Sequence, residues 1–173
     1  MNHDTYSDAY ILDILLKNRV FAVVGASPKT TRPSYLVMRY LSSKGYEVIP
    51  VNPGVGSQTI AARPVSASLP EIDRPVDVVD IFRKSDAAFS VTEEAIRIGA
   101  NVVWMQIGVR NDEAARLAEA AGIKVVMNRC PKIEYGRLSG EIGWAGVNSR
   151  NLSSRRPVLA AKGVQQRSLR DES

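Results

Sequence analysis

The chain has 173 residues, 45% hydrophobic and 24% charged, with a formal net charge of +5. That size and composition suit one globular domain with an apolar core plus a short appendage, and no apolar run approaches the roughly 18 residues of a membrane helix. The charge is not laid out as a nucleic-acid face would need. Residues 1–149 hold 17 Lys/Arg against 16 Asp/Glu, while Arg150, Arg155, Arg156, Lys162, Arg167 and Arg170 make the tail basic. Neither nucleic acid nor membrane is an expected partner.

The opening MNHDTYSDAY is polar and lacks the basic-then-apolar layout of a secretion signal. A single cysteine, Cys130, cannot form an internal disulfide, so a reducing cytoplasm is the expected setting.

In chain order, residues 8–17 read as a helix, with Ile11, Leu12, Leu15 and Leu16 on one face behind a Ser7 or Asp8 cap. Val20–Val24 is a continuous apolar run ending at Gly25, as in a strand buried on both faces. A helix is expected from about Pro33 to Lys44, since proline suits the first helical position and Gly45 suits the stop. Glu47–Val51 is a second strand, with Pro50 expected at its end because proline donates no ladder hydrogen bond.

Residues 54–75 read as loop with a short helix near Leu69–Ile72. Val76–Phe82 is a third strand. Ser85 or Asp86 is expected to cap a helix that reaches Ile98 and stops at Gly99. Val102–Met105 is a fourth strand. Asn111 caps the next helix, with Asp112 and Glu113 in its first turn and Gly122 at its end. Lys124–Met127 is a fifth strand. After Cys130 the pattern dissolves.

Five strands separated by helices, with no hairpin between them, predict parallel pairing through right-handed crossovers. The expected fold is α/β: a doubly wound, Rossmann-like, five-stranded parallel sheet with helices on both faces. Residues 1–138 form the expected domain, and 139–173 a basic C-terminal extension.

Ligands in such sheets sit beyond the carboxyl ends of the strands. The first such turn, VVGASPKTTRPSYLV, points to an anion. Gly25 permits a tight turn and close backbone approach, a helix start offers free N–H groups, and Lys29 and Arg32 add two charges. Phosphate is the natural candidate, and a plain turn with solvated cations is the bland alternative. Dinucleotide binding ordinarily needs G-x-G-x-x-G here and an acid at the end of the second strand. This loop has one glycine, and that strand ends Val51-Asn52-Pro53. No P-loop motif occurs.

Five stretches, FAVVGASPKTTRPSY, GYEVIPVNPG, VDVVDIFRKSD, VVWMQIGVRNDEAARLAEAAGIKVV and NRCPKIE, resemble in order the stand-alone CoA-binding domain family. That family comprises small bacterial and archaeal proteins related to the amino-terminal domain of the succinyl-CoA synthetase alpha subunit. The resemblance spans about residues 10–138 and implies coenzyme A or an acyl-CoA as ligand. It implies that Gly25, Ala26, Ser27 and the helix start at Pro33 hold the pyrophosphate, with Lys29 and Arg32 on phosphate charge. Asn52 and Pro53 would line the nucleotide, Phe82 and Arg83 would lie beside the adenosine, and Gln106, Ile107 and Gly108 would face the pantetheine arm. Asn128 departs from the aspartate usual in the family at that place. The synthetase's phosphorylated histidine has no counterpart here, since the single histidine is His3.

Other residues invite a role. Cys130 would meet the pantetheine thiol, or simply pack as a small apolar side chain. Asp77 and Asp80 lie among valines; one is expected to cap a nearby helix or loop and the other to lie towards the strand's edge, with a catalytic pair as the alternative. Glu134 and Tyr135 read as structural, Trp104 as core, and Trp144 as an anchor for the tail. With one terminal histidine and no clustered metal ligands, a non-enzymatic binding role leads. An NAD-type enzyme and a regulatory interaction protein acting through its basic tail remain the alternatives. Exchange of that tail between two copies would make a homodimer.

Overall fold

The computed structural model describes residues 1–55 and 58–140. In chain order it contains α1 (Asp8–Lys17), β1 (Val20–Val24), α2 (Pro33–Ser43), β2 (Glu47–Val51), β3 (Thr59–Ile60), β4 (Arg63–Pro64) and β5 (Val78–Ile81). These are followed by α3 (Ala88–Arg97), β6 (Val102–Met105), α4 (Asp112–Ala120), β7 (Lys124–Val126) and α5 (Pro131–Leu138). The elements fall into two compact units, residues 18–130 and residues 1–17 with the segment beginning at Pro131.

The larger unit is built on one parallel sheet in the order β2-β1-β5-β6-β7. The β1→β2 crossover steps to one side, and the β5→β6→β7 crossovers step to the other. Right-handed connections then put α2 on the opposite face from α3 and α4. Packing agrees with this. Ala22, Val79, Ile81, Val103 and Met105 share a buried cluster with Ala88 and Ala95 of α3 and Ala115 of α4. Val37, Met38 and Leu41 of α2 are buried outside that cluster. The expected Rossmann-like α/β fold is what forms.

Chain order reverses between β1 and β5, so the switch point of the sheet lies there, at the carboxyl ends of those two strands. Gly25 and Phe82 are the first residues beyond them.

Three details of this unit differ from the sequence expectation. Pro50 lies inside β2 rather than at its end. β2 is an edge strand, and the Pro50 carbonyl accepts from Ser66 N–H at 2.9 Å on the outer side, so the missing donor faces away from β1. Residues 59–64, read as loop, form a two-stranded antiparallel hairpin. Its turn residues Ala61 and Ala62 have φ of 50° and 61°, a conformation usually announced by Asn or Gly. Ser85 and Asp86 lie in a 3-10 turn, Ser85–Ala87, ahead of α3 instead of capping it.

In the smaller unit, Ile11, Ile14 and Leu15 of α1 are buried. Arg137 of α5 pairs with Asp8 at 2.7 Å and with Glu134 at 2.8 Å. The sequence pattern was expected to dissolve after Cys130, yet α5 forms there, with Pro131 at its start, where a proline is pre-organised for the helix. Glu134 and Tyr135 are buried in it, consistent with a structural role. Trp144 and the tail from residue 141 lie outside the described residues.

Candidate functional site

The first turn is shaped by glycine. Gly25 has φ +89°, and a Cβ placed on it would lie 2.9 Å from the Phe82 carbonyl oxygen and 3.1 Å from Arg83 Cδ. The missing side chain therefore lets the third strand's exit, and the aliphatic stem of Arg83, lie directly against the first loop. Gly25 N–H donates to the Val51 carbonyl at 3.0 Å, and Phe82 N–H donates to the Val24 carbonyl at 2.8 Å.

The loop is then tied on both sides. Ser27 N–H donates to Ser34 Oγ at 3.1 Å, and Lys29 N–H to Ser27 Oγ at 3.3 Å. Asn52 Nδ2 donates to the Ala26 carbonyl at 2.7 Å, while its Oδ1 accepts from Gly54 N–H at 2.8 Å. Asn52 is thus the brace between the first and second strand tips, and Pro53 beside it is exposed.

Just beyond, α2 starts at Pro33 with Arg32 as its N-cap, and no side chain caps it. α4 differs, since Asn111 Oδ1 accepts Ala114 N–H at 2.9 Å. The open α2 start presents backbone donors and the positive end of a helix dipole. Lys29, Arg32 and Arg83 are exposed and pair with no acid among the described residues. Unpaired cations beside an uncapped helix start favour an anion with several charges.

The other strand tips form a second linked group. Ser85 Oγ accepts Arg110 N–H at 3.0 Å, and the Ser85 carbonyl accepts Asn111 Nδ2 at 2.9 Å, which explains why Ser85 does not cap α3. Asn128, at φ +54°, accepts Gly108 N–H on Oδ1 at 2.8 Å. The amide oxygen supplies this bond as a carboxylate oxygen would, and both side chains tolerate the left-handed conformation. Ile107 is 60% exposed, an apolar side chain held outward at a strand tip. Arg110 is engaged by Asp112 at 2.9 Å. Cys130 follows as a buried residue.

One buried pair was missed in the sequence. Asp80, expected near a strand edge if it did not cap a loop, is fully buried on β5. Gln106 Nε2 straddles its carboxyl, 2.9 Å from Oδ1 and 3.1 Å from Oδ2. Burial pushes the Asp80 carboxyl up to about 8, against the opposing pull of the Gln106 hydrogen bond. Asp77 does serve the loop: its Oδ2 accepts Arg19 N–H at 2.7 Å and Val20 N–H at 2.9 Å. An acid between valines in VDVVD was the available signal, but the partner 26 residues on was not readable.

A separate cleft of about 330 Å³ lies along the outer edge of β2, lined by Glu47, Ile49, Arg63 and Arg74 among others. Arg74 already pairs there with Glu47 at 2.7 Å and Asp73 at 3.0 Å. Those pairs occupy Arg74, and the loop glycine, open helix start and unpaired cations lie at the strand tips instead.

Residues 19–136 match the family model described as CoA binding domain. The chain is 39% identical over 129 residues to the uncharacterized protein YneT of Bacillus subtilis (strain 168), covering 75% of this chain and 94% of that one. A solved hypothetical protein from Pyrococcus horikoshii OT3 is 39% identical with a TM-score of 0.75, over 80% of this chain and 96% of the other. The dinucleotide forming acetyl-coenzyme A synthetase 1 of Ca. Korarchaeum cryptofilum superposes at TM-score 0.58 and 23% identity, over 68% of this chain and 27% of that one. That last likeness bears on the fold.

Proposed function

The chain belongs to the CoA-binding domain family, and from that premise we propose that it binds coenzyme A or an acyl-CoA at the strand tips without carrying out chemistry on it. The observation that supports this most is the convergence at the switch point: Gly25, the open α2 start, and Lys29, Arg32 and Arg83. A phosphorylated ligand with several negative charges suits that arrangement.

In this reading the backbone of Gly25, Ala26 and Ser27 and the helix start at Pro33 hold the pyrophosphate. Lys29 and Arg32 neutralise phosphate charge, and Arg83 reaches across Gly25 to do the same. Asn52 and Pro53 flank the nucleotide, and Phe82 lies beside the adenosine. Gln106, the exposed Ile107 and Gly108 face the pantetheine arm, with Cys130 towards its thiol end. Asn52 also weighs against a nicotinamide dinucleotide. It stands where such sites use an acid for the ribose, and its amide is engaged by Ala26 and Gly54. Residues 1–138 are the proposed binding domain, with 139–173 as a basic extension, in a chain working in the cytoplasm.

Titration calorimetry with coenzyme A, acetyl-coenzyme A, NAD, NADP and ATP tests the proposal. Binding of the first two and not the others is the expected result, and preference for NAD would overturn it.

A further inference from the structure

We propose that Asp80 and Gln106 form a proton-set selector at the strand tips: the protonation of the buried Asp80 decides whether Gln106 offers a hydrogen-bond acceptor or a donor to the ligand. The proposal rests on the coenzyme A reading for its ligand, and on the geometry of the pair for its mechanism.

Asp80 is fully buried on β5, between Val23 of β1 and Trp104 of β6, neither of which titrates. Among the described residues, only burial and the Gln106 hydrogen bond act on its carboxyl, and no charged side chain contributes. Gln106 is itself buried, one residue past β6, with Nε2 placed across both carboxyl oxygens. A carboxylate can only accept, so an Nε2 donor facing both oxygens suits the ionised pair. Gln106 Oε1 receives no hydrogen bond from a described residue. In the ionised pair it is this acceptor that is left for the ligand.

When Asp80 takes one proton from water, no other covalent bond changes, but the new O–H needs an acceptor. Turning the Gln106 amide over by about 180° supplies Oε1 to it and sends Nε2 outward, with no movement of the backbone. The displayed group becomes a donor. Because burial holds the Asp80 carboxyl near 8, both forms are accessible close to neutrality. A pantetheine arm carries amide N–H groups and carbonyls, so the two forms discriminate between them. The acceptor form suits an N–H of the arm.

The test uses the full chain and S-methyl-coenzyme A, whose thioether removes the titrating thiol. The Gln106 side-chain amide resonances are followed by NMR from about pH 6 to pH 10, two units either side of about 8, and affinity is measured over the same range. The expected result is a resonance shift centred near 8 and affinity rising about fivefold with pH, the worth of one net hydrogen bond. In Asp80→Asn, which cannot titrate, both profiles are expected to be flat once the ligand's own phosphate titration, common to the two proteins, is subtracted. Gln106 resonances that stay fixed in the wild type overturn the selector, whatever the variant does. Identical affinity profiles in the two proteins overturn its role towards the ligand while leaving coenzyme A binding intact. Absence of binding by either protein at every pH contradicts the coenzyme A reading itself, and the selector loses its ligand with it.

Discussion

Asn52 Nδ2 donates to the Ala26 carbonyl at 2.7 Å, joining two strand tips that lie 26 residues apart in the chain. The same amide accepts Gly54 N–H on its other side, so one side chain organises both turns. Asn52→Ala is expected to cost about 1–2 kcal/mol of stability, since the Ala26 carbonyl and Gly54 N–H lose partners that only partly return from water. Asn52→Asp should be worse for the first loop, because a carboxylate cannot donate to Ala26. Denaturant unfolding of the two variants checks both orderings.

Gly25→Ala is expected to destabilise by about 1–3 kcal/mol. The residue sits at φ +89°, and the new methyl group would stand 2.9 Å from backbone at Phe82. Moving that backbone also displaces Arg83, so ligand affinity should fall together with the midpoint of unfolding. A variant with wild-type stability would contradict this view of the turn.

Asn128 holds Gly108 N–H at 2.8 Å from a left-handed backbone. Asn128→Asp retains both the acceptor and the conformational tolerance, so its stability should lie within about 0.5 kcal/mol of wild type. Asn128→Ala loses both, and a cost of about 1–2 kcal/mol is expected. Equal unfolding midpoints for the two variants would contradict the role assigned to Oδ1.

The order of strands and helices was legible because each apolar run is bounded by its own signal: Gly25 after β1, Gly45 after α2, Asn111 before α4, Gly122 after it. Those are local effects of conformational freedom and capping, and they survive folding unchanged. The hairpin at Ala61 and Ala62 was not legible, because alanine gives no hint of positive φ. The Ser85 turn was misread for a different reason. Its hydroxyl and carbonyl are claimed by Arg110 and Asn111, partners 25 and 26 residues away, and local capping preference lost to that contact. Of the site, the loop glycine and its cations could be read directly. The bracing by Asn52, the Asn128 bond and the Asp80–Gln106 pair could not, since each depends on strand order.

Asp80 predicts how stability responds to pH. Its carboxyl is raised from 3.8 to about 8 in the folded chain, so the fold keeps a proton that the unfolded chain releases. The associated stability is fully present below about 3.8 and is lost as pH rises through about 8. Relative to Asp80→Asn, the wild type should therefore weaken across that window, by at most about 1.4 kcal/mol per pH unit, and level off above it. Thermal unfolding of both proteins across the range provides the comparison. A constant difference at all pH values would mean that Asp80 does not titrate in that window.

Arg32→Ala and Arg83→Ala are each expected to weaken coenzyme A binding by about 1.5–3 kcal/mol, the worth of a charged hydrogen bond, with little change in stability because both side chains are exposed. Calorimetry on the two variants checks this. Unchanged affinity in both would remove the phosphates from this loop.

The most direct measurement is a crystal structure of the chain soaked in coenzyme A. Phosphate density is expected against Gly25–Pro33 and within hydrogen-bond reach of Arg83, with the pantetheine arm running past Gln106 and Ile107. An unfilled crevice at saturating ligand, or coenzyme A seated instead along the outer edge of β2, would contradict the proposed site.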